Sequence, residues 1–235
     1  MANPEFFRPG IETTSTMEGS FTQVTKLKGL PPEILERLPK GYVLKQYINN
    51  PELDKDLFGP DYAKLSIVDK ARILKERQTA VRAIFADDLP ELVVPSDFLV
   101  GQGVDDEQPH LFEVQPNVPK GVDVLREWYH VENILEKSPQ TRQAILGQLK
   151  LFVENGRKLQ HQQDQPALKG KVLDLEGANN LIVTPDGDLR LIDTNYLFSP
   201  DNVSPKGKKL YDSYFEYLNL IAAHVREIEE VINSA

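Results

Sequence analysis

Two short apolar runs with a turn between them form the clearest pattern in the chain. Residues 181–183 (Leu-Ile-Val) and 189–192 (Leu-Arg-Leu-Ile) flank the segment 184–188 (Thr-Pro-Asp-Gly-Asp). Proline presets φ, aspartate bonds its own backbone and glycine takes a positive φ, so this segment is typical of a tight turn. Asp-Gly between apolar runs predicts a β-hairpin. The hairpin would place Asn180 and Asp193 together at its open end.

The polar ends of this hairpin allow two interpretations. Asp and Asn often flank strands because their side chains bond the local backbone, so an ordinary surface hairpin explains the pattern by itself. A functional interpretation is that the amide oxygen of Asn180 and the carboxylate of Asp193 share one Mg²⁺ ion. Magnesium bound in this way keeps positions for phosphate oxygens, so the second interpretation predicts a phosphoryl-transfer site.

The rest of the chain alternates between strand patterns and amphipathic helix patterns. Residues 41–47 alternate apolar with polar side chains, which predicts a strand that contains Lys45. Ser66 followed by Asp69 is typical of a helix start, and an apolar stripe continues the helix to about residue 86. We expect further strands at 92–94, 97–100 and 111–115, helices at 31–38, 123–136, 138–163 and 208–232, and a loop at 50–61.

Composition narrows the classes of protein that fit. The chain has 235 residues, 40% hydrophobic and 27% charged, as in one two-lobed domain or two small globular domains. The net charge of −9 argues against DNA or RNA as a partner, because phosphate binding needs a basic face. The sequence contains no cysteine, which excludes disulfides and Cys-ligated zinc. It has no run of about 20 apolar residues and no signal peptide, so we expect no membrane partner and a cytoplasmic location.

The segment from Asp174 to Asp193 resembles the catalytic segment of the protein-kinase-like fold, which includes protein kinases and aminoglycoside or choline phosphotransferases. That segment carries an Asp, an Asn that opens a strand, a Gly turn and a metal-binding Asp that closes the next strand. Asn180, Gly187 and Asp193 match these positions, and the 13-position step from Asn180 to Asp193 fits without a gap. The loop from Asp174 to Asn180 is one residue longer than usual, so Asn179 is a second candidate for the amide ligand.

The resemblance implies roles for five side chains. Asp174 would orient or deprotonate an acceptor hydroxyl, while Asn180 and Asp193 would hold Mg²⁺. Lys45 would pair with the α- and β-phosphates of ATP, as the strand lysine of the family does. Glu76, at the border of the apolar stripe of its helix, would reach inward to Lys45. Taken alone, Lys45 and Glu76 are more simply explained as solvated side chains.

Two further segments resemble nucleotide-binding parts of the family. Segment 17–24 is similar to part of the glycine-rich loop that covers phosphates, with a plain β-turn as the alternative. The proline-rich connector 116–121 and the strand before it are similar to the hinge whose main chain bonds adenine. We therefore expect nucleotide contacts from Gly19 and Ser20 of the loop and from Gln115, Asn117 and Val118 of the hinge.

The chain departs from protein kinases at both ends of the resembling segment. Residues 172–173 (Val-Leu) stand where protein kinases have His-Arg, and residues 194–195 (Thr-Asn) stand where they have Phe-Gly. Small-molecule kinases relax both positions, and 42 residues follow Asp193, so we expect a small-molecule acceptor. The predicted fold class is α+β, a two-lobed protein-kinase-like fold. Residues 1–116 would form a small antiparallel sheet plus one helix, and residues 117–235 a reduced, mainly helical lobe.

The sequence leaves three functions open. The first is a phosphotransferase that uses Mg-ATP and a small-molecule hydroxyl acceptor. The second is a pseudokinase-like module that binds a nucleotide or acts as a scaffold without phosphoryl transfer. The longer loop before Asn180 and the short segment after Asp193 favour it, and the missing Phe-Gly agrees with slow or no transfer. The third is a partner-binding α+β protein in which the hairpin has no catalytic role. Stabilisation by Mg-ATP, measured with and without turnover, separates these functions.

Overall fold

The computed structural model divides the chain into two compact units. The first unit comprises Met1–Gln78 and Pro95–Asn117, and the second comprises Thr79–Val94 and Val118–Ala235. The structure describes residues 6–7, 12–18, 22–28, 42–47, 51–102, 109–126, 136–159, 161, 168, 171–177, 180–194, 197–198 and 205–234. Residues 79–94, which the sequence assigned to the first lobe, belong to the second unit. The division into kinase-like lobes at residues 116 and 117 stays a prediction.

The first unit contains a six-stranded sheet. Its strands are β1 (Phe6–Phe7), β2 (Glu12–Glu18), β3 (Thr22–Lys28), β4 (Tyr42–Tyr47), β5 (Asp97–Gln102) and β6 (Pro109–Pro116). They lie in the order β1-β5-β6-β4-β3-β2, and only β1 and β5 are parallel neighbours among these strands. The predicted strand around Lys45 is confirmed. It pairs with β6 so that Lys45 lies directly opposite Glu113.

Three helices follow β4: α1 (Pro51–Phe58), α2 (Pro60–Ala63) and α3 (Ile67–Phe85). The prediction of a loop at 50–61 is therefore wrong. Pro51 and Pro60 stand at the first position of a helix, where the missing N–H costs no hydrogen bond. Between them Gly59 has a φ of 89°, and its N–H donates to the Lys55 carbonyl at 3.0 Å, which ends α1. The prolines that suggested a loop are helix starts.

Helix α3 follows the predicted pattern to within one residue at each end. Ser66 Oγ accepts a hydrogen bond from the Asp69 N–H (3.1 Å) and donates one to Asp69 Oδ2 (2.7 Å), so the predicted helix start is confirmed. Within the first unit, Ala71 and Leu74 of this helix join buried side chains of β5 and β6 in one cluster. The first part of α3 therefore covers a face of the sheet.

The second unit contains two long helices, α4 (Pro139–Leu159) and α5 (Pro205–Ser234). They approach closely at Gly156, because the Tyr214 hydroxyl donates to the Gly156 carbonyl at 2.9 Å. A Cβ atom at Gly156 would lie 2.9 Å from that hydroxyl, so the contact requires glycine. None of the helices in the described ranges is both long and apolar enough to cross a membrane.

The described residues of the second unit also form five short strands: β7 (Val122–Asp123), β8 (Val172–Leu173), β9 (Leu181–Val183), β10 (Leu189–Leu191) and β11 (Leu197–Phe198). They form the antiparallel sheet β10-β9-β7 and the antiparallel pair β11-β8. Of the helix predicted at 123–136, Asp123 belongs to β7, and residues 127–135 lie outside the described residues. Asp123 Oδ1 accepts hydrogen bonds from the N–H groups of Leu125 (2.9 Å) and Arg126 (3.0 Å), as the aspartate of a turn or a helix cap does.

Strands β9 and β10 form the predicted hairpin. Leu181 pairs with Leu191, and the pairing continues to the turn. The Thr184 N–H donates to the Asp188 carbonyl and the Gly187 N–H donates to the Thr184 carbonyl, both at 2.9 Å. Gly187 has a φ of 92°, which the Asp-Gly sequence predicts. Local turn chemistry therefore decides the register of the two strands.

Neighbouring elements hold the hairpin at its turn and along its edge. The Gln148 side chain of α4 donates to the Gly187 carbonyl (3.0 Å) and accepts from the Leu189 N–H (2.9 Å). The predicted strand at 92–94 is reduced to one parallel bridge between Val93 and Leu191. The hairpin is thus bonded to a helix at its closed end and to an extra segment beside β10, which fixes the direction of its open end.

Gly187→Ala should destabilise the protein by about 1 to 3 kcal/mol, because alanine disfavours a positive φ. A Cβ atom there would also lie 2.7 Å from Thr141 Cγ2. Chemical denaturation measures the change, and the double variant with Thr141→Ser should recover the steric part. The control Gly147→Ala, in α4, has no atom within 4 Å of its new Cβ and should stabilise by about 0.5 to 1 kcal/mol. Equal effects of the two single substitutions would contradict this account of the turn.

Candidate functional site

The open end of the hairpin carries the two side chains predicted as metal ligands. The Ile192 N–H donates to the Asn180 carbonyl at 2.8 Å, which extends the pairing one step beyond β9 and β10. Asn180 therefore lies beside the strand end that leads into Asp193. Asn180 is buried and Asp193 is half-buried. The structure thus brings these two residues to one end of the hairpin.

Main-chain hydrogen bonds fix the side chain of Asn180. Its Nδ2 donates to the Asp174 carbonyl at 2.9 Å, and its N–H donates to the Gly177 carbonyl at 3.3 Å. Because Nδ2 is used in this bond, Oδ1 is the amide atom suited to bind a cation. A Cβ atom on Gly177 would lie 2.8 Å from Asn180 Oδ1. The glycine therefore leaves the space that the amide group occupies.

Asp174 is buried, with 7% of its surface exposed, and belongs to the same loop. Its Oδ1 accepts hydrogen bonds from the N–H groups of Glu176 (2.9 Å) and Gly177 (3.3 Å). Burial, and then the negative charge of Asp193, raise the pKa of Asp174 to about 6, although the two N–H donors act in the opposite direction. A carboxyl group with a pKa near neutrality suits proton transfer.

The donor atoms at this end of the hairpin fit a magnesium ion. Asn180 Oδ1 and the Asp193 carboxylate are hard oxygen donors. Burial first, and then the charge of Asp193, raise the pKa of the neighbouring Asp174. In the part of the chain that the structure describes, no three His, Cys, Asp or Glu side chains group as a metal site.

Four side chains in or near the loop that contains Asp174 and Glu176 were not predicted from the sequence. Arg126 Nη2 donates to the Glu176 main-chain carbonyl at 2.8 Å, and Lys209 Nζ lies 4.0 Å from Glu176 Oε1. Burial raises the pKa of Tyr217, and the charges of Glu176 and Asp174 raise it further while Arg126 lowers it. Lys209 and Tyr217 lie about two turns apart on α5, and this spacing is the one sequence pattern that links them. These side chains are polar groups near Asp174 that could bind a polar acceptor.

In the first unit, the carboxylate paired with Lys45 is not the predicted one. Lys45 Nζ lies 3.6 Å from Glu113 Oε2, and both side chains are buried. Glu76 is exposed on α3, so the prediction that it reaches inward to Lys45 is wrong. The apolar stripe of α3 turns Arg77 and Gln78 inward, which leaves Glu76 on the outer face. The register of β4 with β6 supplies the partner instead.

The predicted nucleotide contacts lie partly outside the described residues. Gly19 and Ser20 fall there, as does Asn179, the second candidate for the amide ligand. Of the hinge positions, Gln115 is buried in β6, Asn117 is exposed and Val118 is half-buried. The chain passes from the first unit to the second between Asn117 and Val118. The roles of all these residues stay predictions.

No protein-family model matches the chain. No curated protein matches it significantly in sequence. Similar solved structures include two crystal structures of the PknI kinase domain of Mycobacterium tuberculosis, each 14% identical with a TM-score of 0.35 over 83% of this chain. The chain spans 62% and 63% of the length of those two kinase domains. This TM-score lies below the range of shared folds, so the family of the chain is a proposal that rests on its residues.

Asp174→Asn should stabilise the metal-free protein at pH 7. Burial and the charge of Asp193 raise the folded-state pKa of Asp174 from 3.8 to about 6, so the folded protein favours the protonated carboxyl group. The stability that this protonation contributes is fully present below pH 3.8 and is lost as the pH rises through 6. Asparagine does not ionise and escapes this loss. The gain at pH 7 should be about 1 to 3 kcal/mol and should shrink towards pH 4.

Denaturation curves at pH 4, 5, 6 and 7 measure this difference. Asp212→Asn, which removes an exposed carboxylate from α5, is the control and should show no such dependence on pH. A constant difference between wild type and Asp174→Asn across the series would show that Asp174 is not destabilised by its charge.

Proposed function

We propose that the chain is an Mg-ATP-dependent phosphotransferase of protein-kinase-like fold that acts on a hydroxyl group of a small molecule. The observation that carries this proposal is the convergence of Asp174, Asn180 and Asp193 at the open end of the hairpin. Two hydrogen bonds build it, from Asn180 Nδ2 to the Asp174 carbonyl (2.9 Å) and from the Ile192 N–H to the Asn180 carbonyl (2.8 Å). A carboxylate, an amide oxygen and a second carboxylate are the groups that phosphoryl transfer with magnesium requires.

The order of elements along the chain supports a kinase-like fold. A strand with a buried lysine (β4) is followed by a long helix (α3), two strands and a proline-rich connector. A long helix (α4), the Asp174 loop and the hairpin β9-β10 come next. The resembling family has its elements in this order. Antiparallel sheets and helices occur together in the chain, as an α+β fold requires.

Each residue of the proposed site has a distinct task. Asn180 and Asp193 would hold Mg²⁺, which when bound screens the charge on the phosphates. Lys45 would pair with the phosphates nearer the nucleoside, and main-chain groups of Gln115, Asn117 and Val118 would bond the base. These interactions position charge and need little covalent chemistry from the protein. Gly19 and Ser20 remain the candidates for a loop over the phosphates.

Asp174 would orient the acceptor hydroxyl and accept its proton. Its pKa of about 6 supports this task, because at neutral pH most of the carboxyl group is ionised yet still able to take up a proton. The polar side chains of Arg126, Glu176 and Tyr217 beside it support a small polar acceptor.

The charge of the whole chain bears on its partners and location. A net charge of −9 supports a nucleotide and a small acceptor as partners in place of DNA or RNA. A nucleotide needs only local positive groups, such as Lys45, the metal ion and backbone N–H groups. A cytoplasmic location, where ATP is abundant, is part of the proposal.

Asp193→Asn should remove the magnesium-dependent part of nucleotide binding and lower any ATP consumption at least about 100-fold. Thermal unfolding is measured with Mg²⁺ alone, ATP alone and both. Mg-ATP at about 100 times its Kd should raise the Tm of the wild type by about 5 to 10 °C, and Mg²⁺ alone by little, because the protein supplies few ligands. The variant should respond equally to ATP with and without Mg²⁺.

Asp212→Asn is the matched control for this experiment and should behave as the wild type. ATP consumption is followed with a panel of hydroxyl-bearing metabolites. Stabilisation by Mg-ATP with no turnover across the panel would favour the nucleotide-binding module. The absence of any stabilisation of the wild type by Mg-ATP would refute both functions.

A further inference from the structure

The first unit contains a buried polar network centred on Glu113. Lys45 of β4 and Glu113 of β6 are direct neighbours across the antiparallel ladder. Lys45 is 6% exposed and Glu113 is 1% exposed. Two opposite charges buried this deeply must compensate each other and need further hydrogen bonds. The contacts of Glu113 show how this compensation is achieved.

Both carboxylate oxygens of Glu113 have polar neighbours. Oε2 lies 3.6 Å from Lys45 Nζ and accepts a hydrogen bond from the Tyr47 hydroxyl at 3.4 Å. Oε1 accepts a short hydrogen bond of 2.5 Å from Ser96 Oγ. A hydrogen bond from a hydroxyl to an ionised carboxylate is among the stronger bonds in proteins. Ser96 therefore fixes one oxygen of Glu113, and the other oxygen faces the ammonium group of Lys45.

Ser96 is itself held by α3. The Ser96 N–H donates to Gln78 Oε1 at 3.1 Å, and its carbonyl accepts from Lys75 Nζ at 2.9 Å. Ser96 is buried, and Lys75 also pairs with Asp97 at 2.7 Å. A continuous set of contacts thus runs from α3 through Ser96 and Glu113 to Lys45. Glu76, the neighbour of Lys75 on α3, points to the exposed face of the helix.

We propose that Glu113 and Ser96 are the positioning residues of Lys45, and that the sheet, in place of a glutamate on α3, sets the ammonium group for phosphate binding. Because Glu113 and Lys45 lie on adjacent strands, the distance between their backbones is fixed by the ladder. A shift of α3 would leave this ladder pairing intact and would act on Glu113 through Ser96. The ladder therefore places the lysine beside its carboxylate before nucleotide binds.

The phosphate-binding role of Lys45 rests on the proposed function, whereas the positioning of Lys45 by Glu113 does not. Competitive acylation with trace acetic anhydride tests the positioning of Lys45 by Glu113. Protection of Lys45 from acylation by Mg-ATP tests its role in phosphate binding. Mass spectrometry then gives the reactivity of Lys45 relative to exposed Lys55. Only the neutral amine reacts, and a buried ammonium group that loses its counter-charge shifts towards the neutral form.

Glu113→Gln should raise the acylation of Lys45 about tenfold, the change in population that about 1.4 kcal/mol of lost pairing gives. Glu76→Gln, which removes a carboxylate from the exposed face of α3, is the matched control and should leave it unchanged. Equal acylation of Lys45 in both variants would overturn the proposal. Circular dichroism and the Tm of each variant check that it is folded.

A milder pair of variants keeps the test decisive if Glu113→Gln does not fold. Ser96→Ala removes the 2.5 Å bond to Glu113 but keeps both charges, and it should raise Lys45 acylation by a smaller factor. Ser96→Thr retains the hydroxyl and should restore the wild-type reactivity. Unchanged acylation of Lys45 in Ser96→Ala would overturn the role of Ser96 in the proposal.

Mg-ATP distinguishes a failure of this inference from a failure of the proposed function. Mg-ATP should protect Lys45 from acylation in the wild type, and its Kd should rise about tenfold in Glu113→Gln and stay unchanged in Glu76→Gln. A rise in acylation in Glu113→Gln without protection by Mg-ATP would support the positioning network and refute the nucleotide site. Protection by Mg-ATP with equal acylation and equal Kd values in the two variants would support the nucleotide site and refute the network.

Discussion

The turn at Asp186-Gly187 is the constraint on which the candidate site depends. A two-stranded ribbon has only one register that a given tight turn permits, and this register decides which residues meet at the open end. Here the positive φ of Gly187, 92°, sets the turn, and the Ile192 N–H still bonds the Asn180 carbonyl after the strands end. A slip of one residue would separate Asn180 from the strand end that leads into Asp193.

A hairpin of two three-residue strands is too short to hold a defined open end by itself. In this protein β7 pairs with β9, and the segment around Val93 bridges to β10, so both edges are occupied. Gln148 of α4 bonds the turn at Gly187 and at Leu189. The helix and the flanking segments therefore hold the hairpin rigid, as the site requires. The turn determines which residues lie at its open end.

The parts of the structure that local chemistry decides were predictable from the sequence. The Asp-Gly turn, the capped start of α3 and the strand around Lys45 each follow from a few adjacent residues. The partner of Lys45 was not predictable in this way, because it depends on the register of β4 with β6, two strands that are far apart in the chain.

Two of the buried acidic groups, Glu113 and Asp174, differ in the way their charge is balanced. Glu113 has a lysine and two hydroxyl groups around its two oxygens, so its charge is compensated within the first unit. Asp174 has two backbone N–H donors, yet burial and the charge of Asp193 still raise its pKa to about 6. Uncompensated negative charge in a buried loop is costly for folding and favours a cation. The electrostatics around Asp174 are therefore consistent with the proposed magnesium site, in which a cation would offset this charge.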